Sequence, residues 1–338
     1  MGGTRILTLA ILAGLAAAAS AEPSAPETAV PDASTALESR LGVMGTDLQI
    51  NVHGSDKAAL NAALDAAEAE IRRIEDLMTD WRPSPLTTLN LAAGSGPQVV
   101  DRELAAIVSR ALEMGRLTGG AFDPTYAGVG RLWDFKRKPP RVPSAEDVAR
   151  GLENVGYRRV RIDPVASTVD LPKGMRIGLG GIAKGYAVDR AMETLRERGV
   201  EHALVNAGGD LKALGLDGSA PWEIAIKHPR DRGRVIAVLR VSNTALVTSG
   251  DYERFFEYKG QRYHHILDPR TGYPSKGAMS ATVVAPSAEF ADALATALCV
   301  MDPDSGLALI ESLARVEAIL VSMDGRVHAS TGLRTSLK

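Results

Sequence analysis

The chain has 338 residues, 45% of them hydrophobic and 24% charged, enough for one large or two modest globular units. A net charge of −2 gives no basis for binding nucleic acid or an anionic membrane surface, and an aromatic content of 4% leaves little for stacking bases.

Residues 1–21 have the form of an export signal: Arg5, an apolar run from Ile6 to Ala18, and Ala19-Ser20-Ala21 as the cleavage site. The run is short for a bilayer span, and no cysteine near the cut could carry a lipid. The mature protein is therefore expected to be exported and soluble in the periplasm, without a stable membrane anchor. Residues 22–39, rich in Pro, Ala and Ser, read as a disordered linker, and residues 40–338 as one folded unit. The single cysteine, Cys299, sits in an apolar run and is expected to be a small buried hydrophobe with no disulfide.

Met44–Val52 alternates in character and reads as a strand. Ser55 then caps a long helix whose Leu60, Leu64, Ala67, Ile71, Ile74 and Met78 form one face before Pro83 stops it. A second helix spans Asp101 to about Thr118 and closes at Gly119-Gly120. Ala121 to Trp133 has little periodicity but many special residues, as functional loops do. Lys136–Pro143 reads as an exposed basic crossing. A short helix (Ser144–Val155) and two strands (Val160–Ile162, Thr168–Asp170) follow.

Gly178 to Asp189 reads as strand, glycine turn and helix start. Glycines let backbone approach a ligand closely, free N–H groups at a helix start favour phosphate, and Lys184 would add a charge for the same anion. Gly178, Gly180 and Ala183 also fit the G-x-G-x-x-A dinucleotide pattern, and a plain strand-to-helix turn stays open beside both readings. After about residue 205 the chain reads as mostly β, which departs from the strand–helix alternation of a Rossmann fold. Its strands are expected at Trp222–Lys227, Val235–Val241, Ala245–Thr248, Phe255–Tyr258, Tyr263–Leu267 and Ala281–Ala285. Ser287 caps a helix, Asp304–Leu313 is another, and Ala318–Val321 with Val327–Ala329 end the chain. The fold class is α+β, or mixed α/β.

Asp292 and Thr296 stand four apart on the helix opened by Ser287, so they share a face. A carboxylate and a hydroxyl form a hard-oxygen pair suited to Mg²⁺; a capping Asp with a self-bonded Thr is the plainer alternative. His264 and His265, as strand neighbours, point to opposite faces, so one at most joins a given site. Asn206–Asp210, Thr248–Arg254 and Thr118–Asp123 are further polar loops. Together these pieces suggest a phosphorylated ligand held with Mg²⁺.

Taken in order, the motifs resemble the ApbE family of FAD:protein FMN transferases. They are Met44-Gly-Thr46, Thr118-Gly-Gly-Ala-Phe-Asp123, Leu179-Gly-Gly-Ile-Ala-Lys-Gly-Tyr186 and Asn206-Ala-Gly-Gly-Asp210. Thr248-Ser-Gly-Asp251, His265-Ile-Leu-Asp-Pro269 with Thr271-Gly272, and Ala291-Asp-Ala-Leu-Ala-Thr296 complete the set. The resemblance implies a T-fold-like architecture and an exported enzyme that moves FMN from FAD onto a Ser or Thr hydroxyl of a cell-envelope flavoprotein, releasing AMP. It implies Mg²⁺ on Asp292, Thr296 and the Gly181 carbonyl, and FAD contacts at Met44, Trp81, Ala121, Phe122, Asp123, Lys184 and Ile266. His265, then Asp268, are its candidates for proton transfer. Position 178, an FAD contact that is usually Asp in the family, is Gly here. An FAD pyrophosphatase and an exported flavin-binding protein are the alternatives.

Overall fold

The computed structural model describes residues 35–231 and 233–337. The export signal and most of the expected linker lie outside the described residues. The first half holds β1 (Thr35–Val43), β2 (Thr46–Gly54), α1 (Lys57–Met78), α2 (Pro85–Leu91), β3 (Gln98–Val99) and α3 (Arg102–Leu117). It continues through α4 (Ala127–Gly130), α5 (Ala145–Leu152), β4 (Arg161–Asp163), β5 (Thr168–Asp170) and α6 (Ala183–Glu197). Strands then dominate: β6 (His202–Ala207), β7 (Asp210–Leu214), β8 (Trp222–Lys227), β9 (Val235–Val241), β10 (Ala245–Gly250), β11 (Phe255–Tyr258), β12 (Gln261–His264) and β13 (Ala278–Ala285). Helices α7 (Ala288–Val300) and α8 (Pro303–Glu311) and strands β14 (Glu317–Ser322) and β15 (Val327–Ala329) complete the chain.

One eight-stranded sheet, ordered β1-β2-β6-β7-β10-β13-β14-β15, organises the molecule. Every pairing in it is antiparallel, which excludes the doubly wound parallel sheet of a Rossmann unit. Helices α1, α6 and α7 cover one face, and their apolar stripes (Ile71 and Ile74, Ala187 and Ala191, Leu294 and Leu298) meet Ile50, Val205, Val247 and Val283 in the main core. Period-two alternation sends Leu211, Leu246 and Ile319 to the other face, where the β8–β9 hairpin covers them with Trp222, Ile226 and Leu239. The fold is thus α+β in a single compact domain with a β-rich second half, as expected.

Local differences from the sequence reading have physical causes. The expected linker does not extend to residue 39, because Thr35–Ser39 pairs with Ile50–Gly54 as the outer strand of the sheet. Strand β2 starts at Thr46 rather than Met44: Met44 and Gly45 form the two-residue β1–β2 turn, both at positive φ (52° and 71°). The α1 N-cap is Asp56, not Ser55, with its carboxylate accepting from the N–H groups of Ala58 and Ala59. The extended stretch before Gly178 joins no sheet. The Asn90 side chain takes a strand's part there, accepting from Ile177 N–H at 2.7 Å and donating to Ile177 C=O at 2.8 Å. Asn90 is itself on α2, a helix that the sequence reading missed along with β7.

Helices α6 and α7 cross so closely at Gly185 that a Cβ there would lie 2.2 Å from the Ala288 carbonyl oxygen. Gly185→Ala is expected to cost about 1–3 kcal/mol in urea unfolding, whereas Gly42→Ala, whose Cβ would meet nothing within 4 Å, is expected to be near neutral. Equal stabilities for the two variants would contradict this packing.

Candidate active site

The start of α6 lacks a side-chain cap of its own. Its opening is filled instead from α7: Asp292 Oδ2 accepts the Gly185 N–H at 3.1 Å. Partial positive charge at a helix start and a buried carboxylate offset one another there. The N–H groups expected to be open for a ligand are therefore partly engaged by the protein itself.

Lys184 carries the same arrangement further. Its Nζ donates to Asp210 Oδ2 at 2.6 Å and lies 3.8 Å from Asp292 Oδ1, and both carboxylates are almost fully buried. Burial pushes the Lys184 ammonium down, but the two carboxylates outweigh it and raise it above the ordinary lysine value. Asp210 is pushed well up by burial and by Asp292, against the pull of Lys184. Strand β7 supplies Asp210, α6 supplies Lys184 and α7 supplies Asp292, so one ion cluster ties three elements together.

Lys184 and Asp292 line a cleft between the glycine turn before α6, the 118–126 segment, the end of β10 and the loop after β12, with Asp210 buried behind Lys184. Of the residues singled out in the sequence, Ala121, Phe122, Asp123, Gly181, Lys184, His265, Ile266, Asp292 and Thr296 line it. Thr296 lies one turn beyond Asp292, with its hydroxyl 3.4 Å from Ser249 Oγ. Gly181 faces it so closely that a Cβ at 181 would stand 3.1 Å from Thr296 Oγ1. A carboxylate, a hydroxyl and the Gly181 backbone make a hard-oxygen set that fits Mg²⁺. Among the described residues no group of three or more His, Cys, Asp or Glu could hold a metal, so a metal here would depend on hydroxyl and carbonyl oxygens.

His264 and His265 part company as strand neighbours do. His264 turns inward, with Nε2 3.1 Å from the Ser275 carbonyl oxygen, while His265 lines the cleft with its buried Nδ1 unpartnered. Burial, then the charge of Arg254, lowers His265 to about 4, so its imidazole is neutral at pH 7. Arg254 stands at the lip of the same cleft. The loop carrying it is held by Asp251, which is buried and accepts two bonds from Arg230 in the β8–β9 turn, at 2.6 and 2.5 Å.

Four sequence candidates sit differently. Asp268 is not among the cleft residues; its carboxylate closes a turn by accepting from Arg270 N–H, Nε and Nη2, which removes it as a free base. Trp81 is 61% exposed and outside the cleft walls. Met44, in the β1–β2 turn, has its side chain buried and donates its N–H to Glu75, and its neighbours Gly45 and Thr46 line the cleft in its place. Gly178 lies behind the wall, its N–H donating to the Pro124 carbonyl. Asp123 lines the cleft, but its carboxylate already accepts from Thr125 N–H and hydroxyl and from Tyr157 N–H, so it shapes the loop. Asp210 and Arg254 were missed as individuals, although each ends a polar motif visible in the chain. No signal marked Tyr126, a further cleft residue.

Fold and cleft together define an α+β protein whose cleft gathers two cations, a neutral imidazole and a set of hard oxygens. The ApbE family model matches residues 44–320. The FAD:protein FMN transferase of Treponema pallidum is 36% identical over 310 residues, covering 86% of each chain. The crystal structure of the ApbE protein from Thermotoga maritima superposes with a TM-score of 0.82 at 36% identity, over 90% of this chain and 100% of that one. The apo form of the Pseudomonas stutzeri flavinyl transferase ApbE gives 0.79 at 28% identity, over 90% and 97%. The chain belongs to the ApbE family.

Two outcomes follow from the site's electrostatics. Lys184→Met would leave two buried carboxylates unpaired, and it is expected to lose about 3–5 kcal/mol at pH 7 by chemical denaturation. His265 is lowered in the fold relative to about 6.5 in the unfolded chain, so the unfolded state takes up its proton first on acidification. Its contribution is complete above about pH 6.5 and is lost as pH falls towards 4, at up to about 1.4 kcal/mol per pH unit. His265→Gln should flatten the stability profile in that window; an unchanged profile would show that His265 is not held neutral.

Proposed function

We propose that the chain is an Mg²⁺-dependent FAD:protein FMN transferase, acting after export on a Ser or Thr hydroxyl of a periplasmic or envelope-bound flavoprotein and releasing AMP. The observation that carries this reading is the convergence of Lys184, Asp292, Thr296 and a neutral His265 on one cleft, in a chain whose relatives bear that transferase name. A site that only stored a flavin would need neither the acid–base group nor the hard-oxygen set.

Asp292, Thr296 and the Gly181 carbonyl would hold the Mg²⁺, which when bound offsets charge on the pyrophosphate. The protein's own groups divide the remaining work. Lys184 would carry its positive charge beside the pyrophosphate, because Asp210 and Asp292 hold it charged. Arg254 adds a second cation at the cleft lip. The acceptor oxygen forms a bond to the FMN phosphorus as the bond from that phosphorus to the AMP oxygen breaks, and AMP carries away the electron pair. His265 receives the proton of the incoming hydroxyl on its neutral imidazole. Phe122 and Ile266 supply apolar wall against which water is excluded.

The test incubates the mature protein with FAD, Mg²⁺ and a protein carrying an acceptor Ser/Thr motif, following acceptor mass and AMP together. Acceptor mass should rise by one FMN, and the gain should vanish with EDTA or in Asp292→Ala. His265→Ala should slow transfer by about 10²–10⁴-fold with FAD affinity little changed. AMP and free FMN without acceptor labelling would make the protein an FAD pyrophosphatase, and bound FAD with neither product would make it a carrier.

A further inference from the structure

Tyr126 lines the cleft, yet nothing in the mechanism above uses it. Its ring occupies a slot built from absent side chains. A Cβ on Gly130 would stand 3.1 Å from Tyr126 Cε2, and one on Gly178 would stand 3.2 Å from Cε1. A Cβ on Gly180 would stand 3.4 Å from the hydroxyl oxygen, and Ala127 closes the same wall 3.1 Å from the Gly178 position. Two backbone segments, bearing three glycines, thus come close enough to fix the ring.

The slot aims the phenol at the Gly180–Gly181 turn, beside the face where Gly181 meets Thr296. The hydroxyl makes no hydrogen bond to any described residue. Asp80 and Arg254 are the charged groups whose fields reach it. Burial first, then Asp80, push the phenol up to about 12 against Arg254, so at neutral pH it is an O–H donor. Tyr126 is half-buried, and its hydroxyl opens into the cleft, so the cleft contents are what it faces.

We infer that Tyr126 is a specificity-determining residue whose hydroxyl donates a hydrogen bond to FAD on the Gly180–Gly181 side of the cleft, a role that rests on the transferase reading. The same packing explains Gly178. The Tyr126 ring takes the volume that an acidic side chain at 178 would need, so a carboxylate there and this phenol exclude one another. A phenol O–H donates to phosphate, ribose or ring acceptors.

The test is calorimetric titration with FAD, without acceptor protein, of the unmodified protein, Tyr126→Phe and Gly178→Ala, alongside their melting temperatures. Tyr126→Phe keeps the ring in its slot and removes only the donor. It should weaken FAD binding about tenfold while leaving the melting temperature of the free protein in place. Wild-type affinity in a folded Tyr126→Phe would overturn the inference. Should that variant fold poorly, Gly178→Ala decides: its methyl presses on the ring and shifts the hydroxyl, so affinity should fall by about threefold or more, and an unchanged affinity would overturn the inference. Failure of the unmodified protein to bind FAD would overturn the transferase reading itself.

Discussion

Everything in the cleft depends on one half-buried cation held between two buried carboxylates. Lys184 alone would resist burial, and Asp210 and Asp292 alone would repel one another. Together they join the first turn of α6 to the start of β7 and the first turns of α7. The Gly185 crossing exists so that this cluster can close, since any side chain there would push α7 away and take Asp292 with it. Such a cluster is poor evidence of extra stability, because desolvating charges is costly. Its worth lies in geometry: it fixes where charge sits relative to Thr296 and Gly181.

The same field acts on His265. Arg254, His264 and Lys184 all oppose a proton on the imidazole, and burial opposes it more strongly still. In the proposed transfer, an imidazole kept unprotonated by neighbouring cations would meet a substrate whose phosphates those cations also attract, so binding and proton acceptance would draw on one set of charges.

How much of this was legible in the sequence differed by kind of signal. The long helices and most strands of the second half were visible because their apolar spacing is regular and their caps are strong: Ser287 and Asp101 both accept from the first turns of their helices. Strand β1 was hidden by composition, since Thr35–Ser39 looks like linker until β2 pairs with it. The role of Asn90 was illegible because its partner, Ile177, is 87 residues away in the chain. Within the site, motif order pointed to His265, Asp292, Thr296 and Lys184. It could not show that Asp210 belongs to Lys184, because that depends on which side chains meet once the sheet closes; the Asp268–Arg270 pair is local to one turn, and the sequence reading did not weigh it. Tyr126 carried no pattern at all, as its place is defined by three glycines from two separate segments.

The sheet order has a consequence for how the chain reaches its native state. Strand β2 finds its inner neighbour only at β6, where Leu48 pairs with Ala207, and β7 must wait for β10. Such distant pairings give a high contact order, which slows folding and leaves strand edges open meanwhile. The cleft itself draws on residues from Gly45 to Thr296, so its last wall, α7, becomes available only when most of the polypeptide has been made. A nascent chain therefore lacks a complete cleft for nearly the whole of its synthesis, and the cleft forms together with the long-range closure of the sheet.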